Sequence, residues 1–298
     1  MLSNKFKFNY SFGAVANGVK TDTFTFFLLF FYSNIIGLNP ALAGSAIFIA
    51  LCIDAVTDPL MGTISDRTNS SLGRRHPYML ISFIPMSLGY IFLFAPRQSW
   101  DMSQTDLFIW MTIFTVLTRV GMTLFDIPHR AFGGEITKDY QDRTILMSWR
   151  EAFGWIAGLS NAFLGYGIFF ASTPEYPQGQ LNPDAWFPFA LTGALVMIIS
   201  VLYSSYTTKN EIRYLSKWNG NITLTDIFKE LRIAIGNKSF LIFFFGNLFL
   251  SLSWGLANTL TLFVNTYFWE FEATQIKYFL PIYLIGTLLA LYLSLIHI

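Results

Sequence analysis

Long apolar runs separated by short polar ones fill almost the whole chain, and most are too long for strands or for helices of a small soluble core. Eight approach or exceed the ~20 apolar residues that a helix needs to cross a bilayer. They fall near residues 12–36, 41–64, 78–96, 106–131, 146–171, 186–207, 239–268 and 277–298. A transmembrane β-strand would alternate apolar and polar residues in units of ~10, and the chain lacks that pattern. The pattern predicts an all-α polytopic membrane protein.

The longest polar stretch, KNEIRYLSKWNGNITLTDIFKELRIAIGNK, follows the sixth run. It divides the chain into a six-helix bundle over 1–207, a central loop over 208–238, and the start of a second bundle over 239–298. Inside the loop, Ile227, Phe228, Leu231 and Ile235 recur at helical spacing opposite Lys229, Glu230 and Arg232. That spacing predicts an amphipathic helix lying along the membrane surface. The last residues, LYLSLIHI, still belong to an apolar run. Six spans, a long loop and two more spans is the layout of a two-half transporter whose second half stops early.

Composition supports the class and narrows the partners. Only 12% of residues are charged and 53% are hydrophobic, against about 25% charged in a soluble domain. The net charge of +1 comes with no basic run, which argues against a nucleic-acid partner. A single cysteine, Cys52, excludes an internal disulfide framework. No short apolar segment with a cleavage site marks a signal peptide. Lys5, Lys7, Arg67, Arg74, Arg75, Lys138 and Arg143 lie in loops on one side, with six further Lys or Arg in the central loop. Only Arg97 and Lys277 lie in loops on the other side. The bias places the N-terminus and the central loop in the cytoplasm of a plasma (inner) membrane.

Ionisable residues inside the spans are where function is expected. Asp54 and Asp58 sit one helical turn apart in the second span. One ionised side chain at mid-bilayer costs about 2.5–3.5 kcal/mol on the insertion scale, so two need a positive companion. A proton, a metal cation or a basic side chain would serve. Lys20 and Asp22 lie in the first span, Arg119, Asp126 and Arg130 in the fourth, Arg150 and Glu151 in the fifth. Pro59 and Pro128 follow Asp58 and Asp126 closely and free backbone carbonyls beside them. Thr123 offers a hydroxyl one turn before Asp126. Simpler roles stand beside these. Asp54 and Asp58 are also suited to pure ion pairs with Arg119 or Arg130, and Asp126 to one with Arg150. Trp155 reads as lipid-facing or core, and Gly154 with Gly158 as a close-packing G-x-x-x-G pair. His76, His129 and His297 lack metal-ligand spacing. No nucleophile elbow, H-E-x-x-H or P-loop is present, so the chain does not read as an enzyme.

The stretch DAVTDPLMGTISDRTNSSLGRRHPY carries Asp66, Arg67, Arg74 and Arg75 in a D-R…G-R-R loop. It resembles the loop signature of the major facilitator superfamily and, with the preceding DAVTDP, the glycoside–pentoside–hexuronide:cation symporters. YSFGAVANG, LFDIPHRAF and SWREAFG are similar to segments of that family in spans one, four and five. The resemblance implies a major facilitator fold, of which this chain holds the first six-helix half and two further helices. It implies cation-coupled symport of a sugar or glycoside by alternating access, with Na+ or H+ as the coupling ion and no other cofactor. The cation would sit on Asp54 and Asp58 with Thr123, and Thr57 joins that set. The sugar would sit on Asp126 and Arg150, with Arg130, Asp22 and Asn17 as further candidates. Here the chain departs from the family: Gly18 stands where the melibiose permease has a sugar-binding aspartate, and Arg130 where it has a tryptophan. An arginine there favours an anionic sugar such as a hexuronide. Asp66, Arg67, Arg74 and Arg75 would form a gate of weak charged contacts. Two rivals remain: a carrier of the same fold for lysolipid or another amphiphile, and a membrane receptor without a transport cycle.

Overall fold

The computed structural model describes residues 2–214, 233 and 235–296. All regular structure among them is helical. The first expected span is not one helix but a chain of short ones. Helices α1 (Asn4–Ser11) and α2 (Ala14–Asp22) are followed by a π-helical stretch Thr23–Phe27, by α3 (Leu28–Phe30) and by a second π stretch Phe31–Ile36. Gly37, at φ 85°, closes the run in the left-handed region that glycine tolerates. The remaining spans are α4 (Pro40–Arg67), α5 (His76–Ile81) continuing into α6 (Phe83–Leu93), α7 (Gln104–Glu135), α8 (Tyr140–Leu164) and α9 (Trp186–Thr208). After them come α10 (Lys238–Phe263) and α11 (Ala273–Ile296). Among the described residues, seven helices are long and apolar enough to cross a membrane. The segmented first run is the eighth expected span. The amphipathic helix expected over Ile227, Phe228 and Leu231 lies outside the described residues.

Helix starts are written in the sequence. Asn39 accepts from the Ala41 amide (2.8 Å) with Pro40 at the first helical position of α4. Ser103 accepts from the Asp106 amide (3.2 Å) to open α7, and Asp139 from the Asp142 amide (2.7 Å) to open α8. Asn237 does the same for α10.

Packing follows from small residues and aromatics. α2 lies against α8 and α9, α4 against α7, and α6 against α7 and α9. A Cβ on Gly18 would collide with the Gly154 carbonyl, and one on Gly121 with the Met86 backbone, so both helix pairs meet backbone to backbone. Ser200 of α9 braces the break in the first run. Its hydroxyl donates to the Phe12 carbonyl (2.7 Å), and the Ala16 amide donates to it (3.2 Å). At the other end of the bundle, Phe27, Phe30, Phe31, Phe94, Phe170 and Trp186 form a buried aromatic core. α10 rests on the stretch Thr23–Phe27 and α11 on α8. Most side chains of these two helices are exposed.

Replacing Gly18 with Ala inserts a methyl into a backbone contact that cannot recede. The expected cost is about 1–3 kcal/mol, seen as earlier thermal unfolding in detergent. Gly44→Ala, where a Cβ meets open space, should leave the transition in place.

Candidate functional site

One face of α7 organises the polar interior. Arg119, Thr123, Asp126 and Arg130 are spaced four, three and four residues apart, which lines them up along a single helical stripe. α4 runs beside this stripe in the same direction, so its two carboxylates meet successive rungs. Arg119 Nη1 donates to Asp54 Oδ2, and Thr123 Oγ1 donates to Asp58 Oδ1 at 2.7 Å. Asp54 Oδ1 and Thr57 Oγ1 are buried and have no hydrogen-bond partner among the described residues. Asp58, Thr57 and the free oxygen of Asp54 are hard oxygen donors, the type that Na+ or a proton takes. Thus Asp54 and Asp58 each meet the α7 stripe, Asp54 through Arg119 and Asp58 through Thr123, while Thr57 makes no described contact with the other three residues expected to hold the cation. The ion pair weighed for Asp54 is present, while Asp58 faces a hydroxyl rather than an arginine.

The next rung holds a four-part charge cluster. Asp126 accepts from Arg150 Nη2 through Oδ1 and from Arg130 Nε through Oδ2 at 2.6 Å. Arg150 is almost fully buried, at 2% exposure, and its Nη1 also donates to Glu151 Oε1 at 2.9 Å. Arg130 is half exposed. Removing one partner from a buried charge pair strands the other, which makes this cluster costly to break. Each guanidinium still carries donors that a ligand's hydroxyls or carboxylate can use.

Asp22 and Asn17 make no described hydrogen bond with that cluster but share a cavity of about 130 Å³ with its Glu151 and with Thr21, Trp155 and Trp254. Asp22 is buried, and its Oδ2 has no partner among the described residues. A Cβ on Gly158 would strike the Asp22 carboxylate, so this glycine makes room for a charged side chain. Its G-x-x-x-G mate Gly154 carries the close backbone approach to Gly18. Trp155, read from sequence as lipid-facing or core, stands at the cavity edge-on to Trp254 of α10, ring centroids 6.4 Å apart.

The D-R…G-R-R loop folds into a clamp at the N-terminal end of the bundle. Arg75 Nη2 donates to Asp66 at 2.9 Å and also reaches Glu135 at the end of α7. Arg74 pairs with the second oxygen of Glu135. Arg67 is exposed and enters none of the described ion pairs. Sequence reasoning missed Glu135: it follows two glycines in AFGGE, and no spacing ties it to a loop sixty residues earlier.

Within the apolar runs 12–36, 41–64, 78–96, 106–131, 146–171 and 186–207, formal charge nearly balances. Setting aside Asp106, which caps the far end of α7, the carboxylates are Asp22, Asp54, Asp58, Asp126 and Glu151. The basic groups are Lys20, Arg119, Arg130 and Arg150. One negative charge is in excess.

An all-helical chain with charged rungs buried between long apolar helices is a multi-pass membrane protein. A family described as MFS/sugar transport protein matches residues 9–296, and the chain belongs to it, within the glycoside–pentoside–hexuronide:cation symporters of the major facilitator superfamily. An uncharacterized symporter of Synechocystis is 33% identical over 198 residues, covering 65% of this chain and 35% of its own length. A putative glycoside/cation symporter of Escherichia coli, YagG, is 27% identical over 238 residues, 80% of this chain and 49% of its own. A sodium-dependent lysophosphatidylcholine symporter of Danio rerio is 32% identical over 155 residues, 50% of this chain and 28% of its own. The chain therefore spans less than half the length of these curated relatives.

Asp126→Ala leaves Arg150 buried without its main counter-charge. It should destabilise the protein by about 3–5 kcal/mol, whereas Arg130→Gln, at a half-exposed site, should cost about 0–1 kcal/mol. Denaturation followed by helix signal in detergent would rank the two.

Proposed function

We propose that this chain supplies the first half, and the beginning of the second, of a cation-coupled symporter for a sugar or glycoside in a plasma (inner) membrane. Its N-terminus lies in the cytoplasm. One observation carries the reading: the cation donors and the substrate donors occupy neighbouring turns of the same α7 stripe. Thr123 touches Asp58, and three residues on, Asp126 touches Arg150 and Arg130.

In this reading a Na+ ion or a proton settles on Asp58, Thr57 and Asp54 and cancels the excess negative charge. The sugar hydroxyls exchange hydrogen bonds with the Asp126–Arg150 cluster, and Arg130 turns toward any carboxylate the sugar bears. Asp22 and Asn17 reach the sugar from the first span across their shared cavity. Cation and sugar each favour the arrangement the other needs, and the coupling is reciprocal. The Arg74–Arg75–Glu135–Asp66 clamp closes the cytoplasmic side. Its arginines are largely buried, Arg75 at 3% and Arg74 at 10% exposure. The contacts are therefore stronger than the weak exposed pairs expected from sequence, and opening requires water or new partners to reach both guanidinium groups. No cofactor beyond the coupling ion is required.

Carriage of a lysolipid is the second reading. A largely apolar cavity of about 290 Å³ favours it, lined by Phe26, Phe27, Leu159, Tyr166, Leu262 and Phe279 between the first bundle and the two later helices. Competition of labelled glycosides against lysophosphatidylcholine for the purified protein separates the two.

Asp58→Asn, made in the protein expressed from its complete gene, should abolish cation-dependent glycoside uptake into vesicles while expression stays normal. Uptake that keeps its dependence on the cation gradient would overturn the proposal.

A further inference from the structure

Arg119 is the residue at this site that the proposed function leaves unused. Its guanidinium pairs with Asp54 Oδ2, and its Nε is buried without a partner among the described residues. The side chain is 14% exposed, so this is an interior charge rather than a surface one. Phe24, on the π stretch of the first run, holds it in place with the guanidinium carbon 5.5 Å from the ring centroid. Lys20 lies 6.0 Å from the same ring. Of these two basic groups, only Arg119 forms an ion pair with Asp54 among the described residues. On the Asp58 side the Thr123 hydroxyl donates at 2.7 Å.

We infer that Arg119 is a tethered cation that occupies Asp54 and limits the site to one external monovalent ion, centred on Asp58. The inference rests on the proposed cation site and adds what sets its affinity and capacity. Two carboxylates one turn apart carry two negative charges. The guanidinium cancels one, so a single monovalent ion completes neutrality. It also repels the entering ion at close range in a medium of low dielectric, which weakens binding and makes release easier. A coupling ion has to leave in every cycle, and a built-in competitor keeps it from being trapped. Arg119 is therefore a residue that tunes ion affinity and not itself an ion ligand.

The test is direct Na+ binding to purified protein expressed from its complete gene, by calorimetry at alkaline pH where protons compete least. Arg119→Gln should tighten Na+ binding at least tenfold, or create measurable binding where the parent shows none. Arg119→Lys, which keeps a tethered charge, should stay within threefold of the parent. Arg119→Met gives a second neutral variant of similar bulk should the glutamine form fail to fold, with folding checked by monodisperse elution. Neutral variants that bind Na+ within threefold of the parent, or more weakly, would overturn the inference. Asp58→Asn separates this from failure of the underlying site. If Na+ binding survives that change, the cation reading itself falls. If Asp58→Asn abolishes binding while Arg119→Gln does not alter it, only the role of Arg119 falls.

Discussion

Ionised groups inside an apolar bundle are tolerated only where each finds a counter-charge or a hydrogen bond, and that constraint shapes the centre of this protein. α7 bears most of the burden. Its stripe of Arg119, Thr123, Asp126 and Arg130 gives each neighbouring helix something to bind: Asp54 and Asp58 from α4, Arg150 from α8. The apolar faces of these helices would pack in several rotations about their axes. The charged rungs select one, because a rotation that separated Asp126 from Arg150 would leave two bare charges in a dry interior. Polar contacts therefore specify the register, while close glycine contacts and aromatic packing supply the cohesion.

The first run stands apart from this rigid arrangement. It is broken at Phe12–Gly13 and wound as π-helix in two places, yet it reaches two parts of the site. Asn17 and Asp22 come from α2, while Phe24, which holds Arg119, comes from the first π stretch. Wider π turns often mark functional positions in helices. Here they let one span serve two tasks: α2 stays locked to α8 through Gly18 and Gly154, while the segment beyond it carries the contacts to α10. Ser200 supplies the hydrogen bonds that the break at Phe12 would otherwise lose.

Much of this was readable along the chain, and the residue types explain which parts were. Apolar length marked the spans. The Asp54–Asp58 pair stood out because like charges one turn apart in an apolar run demand an explanation. Periodicity also predicted that Thr123 and Asp126 share a face. Pairing across helices was less accessible. Helical spacing says which residues face together but not which neighbour they meet, so Arg119 on Asp54 was one option among several. Glu135 went unnoticed because the clamp it completes joins three segments distant in sequence. Gly158 was legible as a small residue, but the carboxylate it admits belongs to another helix. The break-up of the first span left no trace in hydropathy, since π and α turns bury the same residues.

A site that takes one monovalent ion has an electrical consequence. Moving one elementary charge across a membrane potential is worth about 2.3 kcal/mol per 100 mV. In the proposed cycle the loaded and empty forms differ by the one elementary charge of the bound ion, whatever charge the rest of the protein carries. The field therefore cannot act equally on both reorientations, and voltage biases one step of the cycle relative to the other.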